Sequence, residues 1–407
     1  MEKSYRTLLI AGLCVSLILL AIAVLSIELI GDRSAREGDV GAGSPIKLGA
    51  IYNLAGAQSS LDSPSANGAK LAVMELNARG GIGGRELQLV LYDGKTDAGT
   101  ITACAHRLIE TDRVCAIIGF SDTDMVLAAA PIAAEAGTVF ITSGATSPKL
   151  AEEVPVYLFL GCFGDNVQAA AGAEYASEQL GLKTAYLLVD EDMEYTRLLA
   201  AYFKERYTEL GGAILLEDAF NSSATNFSAQ IAALKGLNQT PELLYIASGP
   251  DKIGTIVKQF RDAGITQPIL GGDAYDTPEL VRVAGAATSD VYFTTHALLD
   301  EATGTERARA FIAAYQAEYG AAPENAFAAL GYDTVLLLAD AIARAGSDDP
   351  EAILQALAVT TNWAGVTGSI SYEQGSRVPK KGVTIVSVVN GTFTYSETVV
   401  PEKVPTP

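Results

Sequence analysis

From residue 46 onward, short apolar runs alternate with longer segments in which apolar residues recur at three- and four-residue spacing. IKLGAIYNL (46–54) predicts a strand, and SANGAKLAVMELNARGG (65–81) carries Ala69, Leu71, Ala72, Leu76 and Ala78 at helical spacing before stopping at paired glycines. ELQLVLYD (86–93), VCAIIGF (114–120) and TVFIT (138–142) predict further strands, separated by helices over 98–112 and 124–137. The alternation then restarts. Helices over 166–181, 195–212 and 251–264 interleave with strands over 184–190, 213–220, 243–248 and 268–273. Strands and helices alternating in this way imply parallel sheets covered on both faces, and two successive sets imply two lobes of similar architecture.

The pattern changes late in the chain. NAFAALGYDTVLLLADAIARAG (325–346) predicts a long, strongly apolar helix, and GSISYEQ with GVTIVSVVNGTFTYS reads as antiparallel material turning at Asn390-Gly391. The ending PEKVPTP reads as a frayed tail.

The N-terminus stands apart. Lys3 and Arg6 precede an uncharged run from Thr7 to Ile27. That run is long enough to cross a bilayer, which needs about 20 apolar residues, and the basic residues ahead of it favour an external body. Cys14 lies inside the run, which argues against a lipid-anchored cysteine. The stretch GDRSAREGDVGAGSP (31–45) is a polar, glycine-rich linker. The expectation is an extracytoplasmic protein, tethered through the segment or released from it by signal cleavage.

Composition narrows the function classes. The chain has 407 residues, 49% hydrophobic and 19% charged, enough for two domains. A net charge of −20 leaves no basic stripe for nucleic acid. Cys104 and Cys115 read either as a disulfide or as two buried thiols. His106 and His296 are the only histidines, and neither sits at metal-ligand spacing, so a zinc site or a histidine-based triad is not expected. GKT (94–96) has Leu89 where a phosphate loop needs glycine, and GGIGG (80–84) meets Glu86 where a dinucleotide fingerprint needs its third glycine. TSGATS lacks the glycine-serine-glycine order of a hydrolase elbow. Asn221, Asn226, Asn238 and Asn390 stand in glycosylation sequons.

What remains is a set of polar loops at strand ends. GFSDTD (119–124) and TSGATSP (142–148) leave the carboxyl ends of neighbouring strands, where open α/β sheets hold ligands on backbone amides and helix starts. Asp273 follows paired glycines at the end of a second-lobe strand, where a carboxylate can meet an ammonium group or serve as a turn residue.

The order of these motifs resembles the type I periplasmic solute-binding proteins, in particular the branched-chain amino-acid binding family of ABC importers. The resemblance rests on NGAKLAVMELNARGGIGGRELQLVLYD (67–93), GFSDTDMVLAAAPIAAEAGTVFITSGATSPKL (119–150), CFGDNVQAAAGAEYA (162–176), VKQFRDAGI (257–265), GGDAYDTPEL (271–280) and LGYDTVLLLADAIARAG (330–346). It implies that Thr123 and Thr146 hold a ligand α-carboxylate, that the Gly144 carbonyl and Asp273 receive the α-ammonium, and that Tyr195 closes from the second lobe. Two positions depart from the family pattern. Leu61 stands where an aromatic contact is frequent, and Asp122 stands where a small neutral residue is usual, so a polar or cationic ligand is admitted.

The implied architecture is an α/β, two-lobed fold with a three-crossover hinge near residues 162, 293 and 368. Lobe 1 takes 46–162 and 294–368, lobe 2 takes 163–293 and 369–396, residues 1–30 are the signal or anchor, 31–45 the linker and 397–407 a tail. The implied activity is capture of a small solute, an α-amino acid of branched-chain or related type, for ABC permease and ATPase subunits, with no cofactor and no catalysis. A sensory ectodomain of the same fold, or a binder of an amide or aromatic acid, is the alternative, and an enzyme would need a nucleophile and base within reach.

Overall fold

The chain, as a computed structural model, is described over residues 43–407 apart from 303, 373 and 374. The expected anchor (1–30) and nearly all of the linker lie outside the described residues.

β1 (Ile46–Tyr52), β2 (Leu87–Asp93), β3 (Ala116–Gly119), β4 (Val139–Thr142) and β5 (Leu158–Leu160) form a wholly parallel sheet in the order β2-β1-β3-β4-β5. β6 (Thr184–Asp190), β7 (Ala213–Phe220), β8 (Leu243–Ala247), β9 (Ile269–Gly271) and β10 (Val291–Thr295) repeat that order as β7-β6-β8-β9-β10, again all parallel. β11 (Trp363–Gly365) and β12 (Gly368–Ile370) form a separate hairpin. β13 (Val383–Val389) and β14 (Thr392–Val399) then extend the second sheet antiparallel, beyond β10. Asn390 and Gly391 turn between them with φ of 51° and 75°, as a tight hairpin requires.

The inner strands are apolar on both faces because each feeds two cores, whereas the edge strands β2, β7 and β14 carry exposed polar residues. Ala116 and Ile118 enter one core of the first lobe and Ile117 the other; Tyr186 and Leu188 are divided from Ala185 and Leu187 in the same way in the second. The helix Ala326–Ala345 is long and apolar enough to cross a membrane, but it is mostly buried inside the first lobe, alongside Ser59–Ala78.

Three segment readings are corrected. The helix expected from residue 65 begins at Ser59, with Pro64 inside it. Pro64 has no N–H for the Ser60 carbonyl, and the Asn325 amide donates to that carbonyl instead, at 3.0 Å. The helix expected over 124–137 is two, Thr123–Leu127 and Ala130–Glu135, broken ahead of Pro131. The C-terminal residues are not frayed: the Glu402 N–H donates to both carboxylate oxygens of Glu174, and Asn166 Nδ2 donates to the Pro405 carbonyl.

The chain leaves one lobe for the other after Leu160, after Thr295 and after Ile370. The third crossing comes after residue 368 because Gly368–Ile370 is still paired with Trp363–Gly365. The crossings touch one another. Lys381 Nζ, from the third, donates to the Gly161 carbonyl of the first at 3.3 Å, and Phe163 stacks on His296, joining first to second. Cys104, Cys115 and Cys162 are free thiols, so the disulfide reading of Cys104 and Cys115 does not hold. Burial pushes the Cys115 thiol up to about 12.

Candidate functional site

In both lobes the strand order reverses beside the first strand, and the loops leaving the carboxyl ends there face the other lobe. In the first lobe, β3 ends at Gly119 and Phe120 follows with φ +59°, a left-handed conformation that is strained for a bulky residue. The Phe120 carbonyl holds the neighbouring loop, accepting from Gly144 N–H at 3.0 Å and from Thr142 Oγ1 at 3.1 Å. Asp122 caps the helix that starts at Thr123, its Oδ1 accepting from Met125 N–H at 3.1 Å. Thr123 is fully buried and its hydroxyl has no hydrogen-bond partner within the protein. Gly144 cannot carry a side chain without rearrangement, since a Cβ would stand 2.8 Å from the Phe327 ring.

The second lobe supplies a carboxylate. Asp273 follows Gly271 and Gly272, and a Cβ on Gly272 would lie 2.3 Å from the Tyr195 hydroxyl, so the glycine admits that ring. Tyr195 donates to Asp273 Oδ1 at 2.8 Å, Gln168 Nε2 donates to the same oxygen at 2.9 Å, and His296 Nε2 donates to Oδ2 at 3.0 Å. Gln168 Oε1 accepts from Asp273 N–H and from Thr294 Oγ1. Asp273 Oδ1 is thus saturated, while Oδ2 retains a lone pair.

The lobes meet directly. The Asp165 N–H donates to the Thr146 carbonyl at 2.6 Å, Gln168 Nε2 reaches Thr146 Oγ1 at 3.5 Å, and the Glu194 N–H donates to Asp124 Oδ2 at 3.1 Å. Between them lies a cavity of about 10 Å³. That is space for about one water, so this form is closed and a larger ligand enters only when the lobes part.

Four of the residues expected from the sequence line that cavity: Leu61, Asp122, Tyr195 and Asp273. Thr123, Gly144 and Thr146 stand on the adjoining loops, with Gly144 against Phe327 and Thr146 joined to Asp273 through Gln168. Gln58 and Phe327 also line it. Gln168 and His296 complete the carboxylate's shell. The signal for Gln168 was a lone amide in the alanine-rich run VQAAAGA; His296 had none beyond ending an apolar stretch.

The cleft is acidic. Burial raises Asp122 to about 7, with Asp124 adding to the effect, and burial raises Asp62 and Asp276 to about 6. Burial, then Asp273, pushes Asp165 well above the carboxylate range. Burial lowers His296, against the opposing pull of Asp273. Among the described residues no group of three or more His, Cys, Asp or Glu could hold a metal ion. The arrangement offers hydroxyls and amides on one lobe and a carboxylate on the other.

A profile of the family described as periplasmic binding protein matches residues 45–392. The chain is 29% identical over 311 residues to a Leu/Ile/Val-binding protein homolog of Brucella abortus, covering 75% of this chain and 80% of that protein. Among solved structures, the leucine-binding protein LivK of Thermotoga maritima is 32% identical with a TM-score of 0.81, covering 88% of this chain and 99% of that one. The branched-chain amino acid binding protein LivJ of Streptococcus pneumoniae, solved with isoleucine, is 31% identical with a TM-score of 0.81, covering 88% and 100%.

Proposed function

We propose that this chain, which belongs to the periplasmic binding protein family, in the type that serves branched-chain amino-acid ABC transporters, captures an α-amino acid between its lobes and delivers it to a membrane permease. The relatives are solute-binding proteins, not enzymes, and the family works outside the cytoplasm. In the proposed cycle, the three crossings bend and the cleft opens. The α-carboxylate enters against the Thr123 and Thr146 hydroxyls, the α-ammonium against Asp273 Oδ2 and the Gly144 carbonyl, and Tyr195 closes over them. No bond is made or broken. Tethering through residues 1–30 would keep the protein beside its permease and ATPase subunits.

The observation that carries this reading is the position of Gln168. Its amide nitrogen donates to Asp273 Oδ1 at 2.9 Å and to Asp165 Oδ1 at 3.0 Å and lies 3.5 Å from Thr146 Oγ1, so a hydroxyl on one lobe and a carboxylate on the other, groups suited to the two charged ends of an amino acid, come together where the lobes close. The test is a melting-shift screen against the common amino acids. Ligand at 100 times its dissociation constant stabilises a protein by about 2.7 kcal/mol, which raises the melting temperature by several degrees. No shift with any amino acid would overturn the reading.

A further inference from the structure

We infer that the ligand is an α-amino acid whose side chain ends in a nitrogen hydrogen-bond donor, received by Asp122, and not a branched-chain one. This rests on the amino-acid reading above and concerns the far end of the same ligand.

Asp122 lines the interlobe cavity and is 4% exposed. Its carboxylate does two jobs with its two oxygens. Oδ1 caps the helix at Met125, a task that serine, threonine or asparagine would perform equally well. Oδ2 is extra to capping. It accepts one hydrogen bond, from Gln58 Nε2 at 3.2 Å, and keeps a further lone pair.

The surroundings give that oxygen little else. Leu61, Met193 and Phe327 form apolar walls of the same cavity, and both hydrogen bonds to the carboxylate come from neutral amides. The charges acting on it are those of Asp124 and Asp62, which are repulsive and help burial hold the carboxyl up near 7. A leucine-like side chain pressed against Asp122 would strip its remaining solvation and return nothing. An acidic side chain would add repulsion. A side chain ending in N–H restores a hydrogen bond, and a cationic one also supplies the missing counter-charge. A site with a buried acceptor rejects the isostere that lacks the donor more sharply than an apolar pocket rejects an extra polar group.

The donor can be an amide, an ammonium or a guanidinium, and the test separates them. Titration calorimetry on the full-length protein would compare leucine, isoleucine and valine with asparagine, glutamine, ornithine, lysine and arginine. At least one donor-bearing amino acid should bind about tenfold more tightly than leucine, the return on one hydrogen bond to a charged group. In Asp122→Ser, which keeps the cap and removes the second oxygen, that ratio should fall at least about tenfold. Asp122→Asn, similar in size, should lose the preference for cationic over amide side chains, and guards against a serine variant that folds poorly. Leucine, isoleucine or valine binding most tightly, or an unchanged ratio in both variants, would overturn the inference while leaving the amino-acid reading intact. Binding of no amino acid at all would overturn both.

Discussion

The imidazole of His296 ties the carboxylate of Asp273 to the hinge: Nε2 donates to Asp273 Oδ2 at 3.0 Å while the ring stacks on Phe163 with centroids 3.9 Å apart. His296 opens the second crossing and Phe163 belongs to the first, so the group proposed to receive the α-ammonium is braced by the segments that must bend. His296→Ala removes the bond and the stack together. Loss of a hydrogen bond to a charged group is worth about 1.5–3 kcal/mol, so ligand affinity should fall roughly 10- to 150-fold by calorimetry. His296→Gln, which can still donate, should recover part of the loss.

The Asp122 carboxyl makes stability depend on pH in a defined direction. Its folded value near 7 lies above the ordinary value near 4. Between those values the folded state holds a proton that the unfolded state has released, so this group's contribution is fully present below about pH 4 and is lost as pH rises through about 7. The loss is on the order of 4 kcal/mol. Asp122→Asn should be flatter than the parent between pH 4 and 7 in chemical denaturation. Asp62 and Asp276 remain in the variant and supply a residual slope of the same sign. Parallel profiles for parent and variant would contradict the assignment.

Gly144→Ala places a methyl group 2.8 Å from the Phe327 ring, which is buried in the first-lobe core. Overpacking of this kind costs about 1–3 kcal/mol, to be read from denaturant midpoints. Phe327→Leu introduced with it should restore part of the stability, since the clash is with that ring.

The C-terminal residues are held by a buried ion pair. Glu174 Oε1 accepts from Arg206 Nε and Nη2 at 2.9 and 2.6 Å, and the Glu402 N–H donates to the same carboxylate. Glu174→Ala leaves Arg206 buried without this partner and should cost about 3–5 kcal/mol in urea unfolding. Truncation after Val399 removes only the strap and should cost much less.

The sheets were legible because a strand buried on both faces is a continuous apolar run, and βα alternation implied two lobes of similar architecture; the strand order they share came from the structure. Local signals misled where a distant residue supplied what the local chain lacks. The helical spacing was read only from residue 65, yet the helix starts at Ser59, because Asn325 satisfies the carbonyl that Pro64 leaves open. Leu61, Asp122, Tyr195 and Asp273, each named from its motif, stand on the wall of the interlobe cavity. Gln168 and His296, which fix the Asp273 carboxylate, lie 105 and 23 residues from it, and no spacing rule connects them. The closed cleft was also invisible, because closure depends on contacts between lobes such as Asp165 to Thr146.

In the proposed binding mode, Asp273 and the loops of Thr123 and Thr146 grip the two charged ends of an amino acid. The most direct measurement is calorimetric titration of the amino acid that best raises the melting temperature, run beside its analogue with the α-amino group replaced by hydroxyl, into the parent and Asp273→Asn. The parent should bind one equivalent of the amino acid and discriminate against the hydroxy analogue by at least about tenfold. Asp273→Asn should lose most of that discrimination. Equal affinity of the parent for both compounds, or unchanged affinity in Asp273→Asn, would contradict the account.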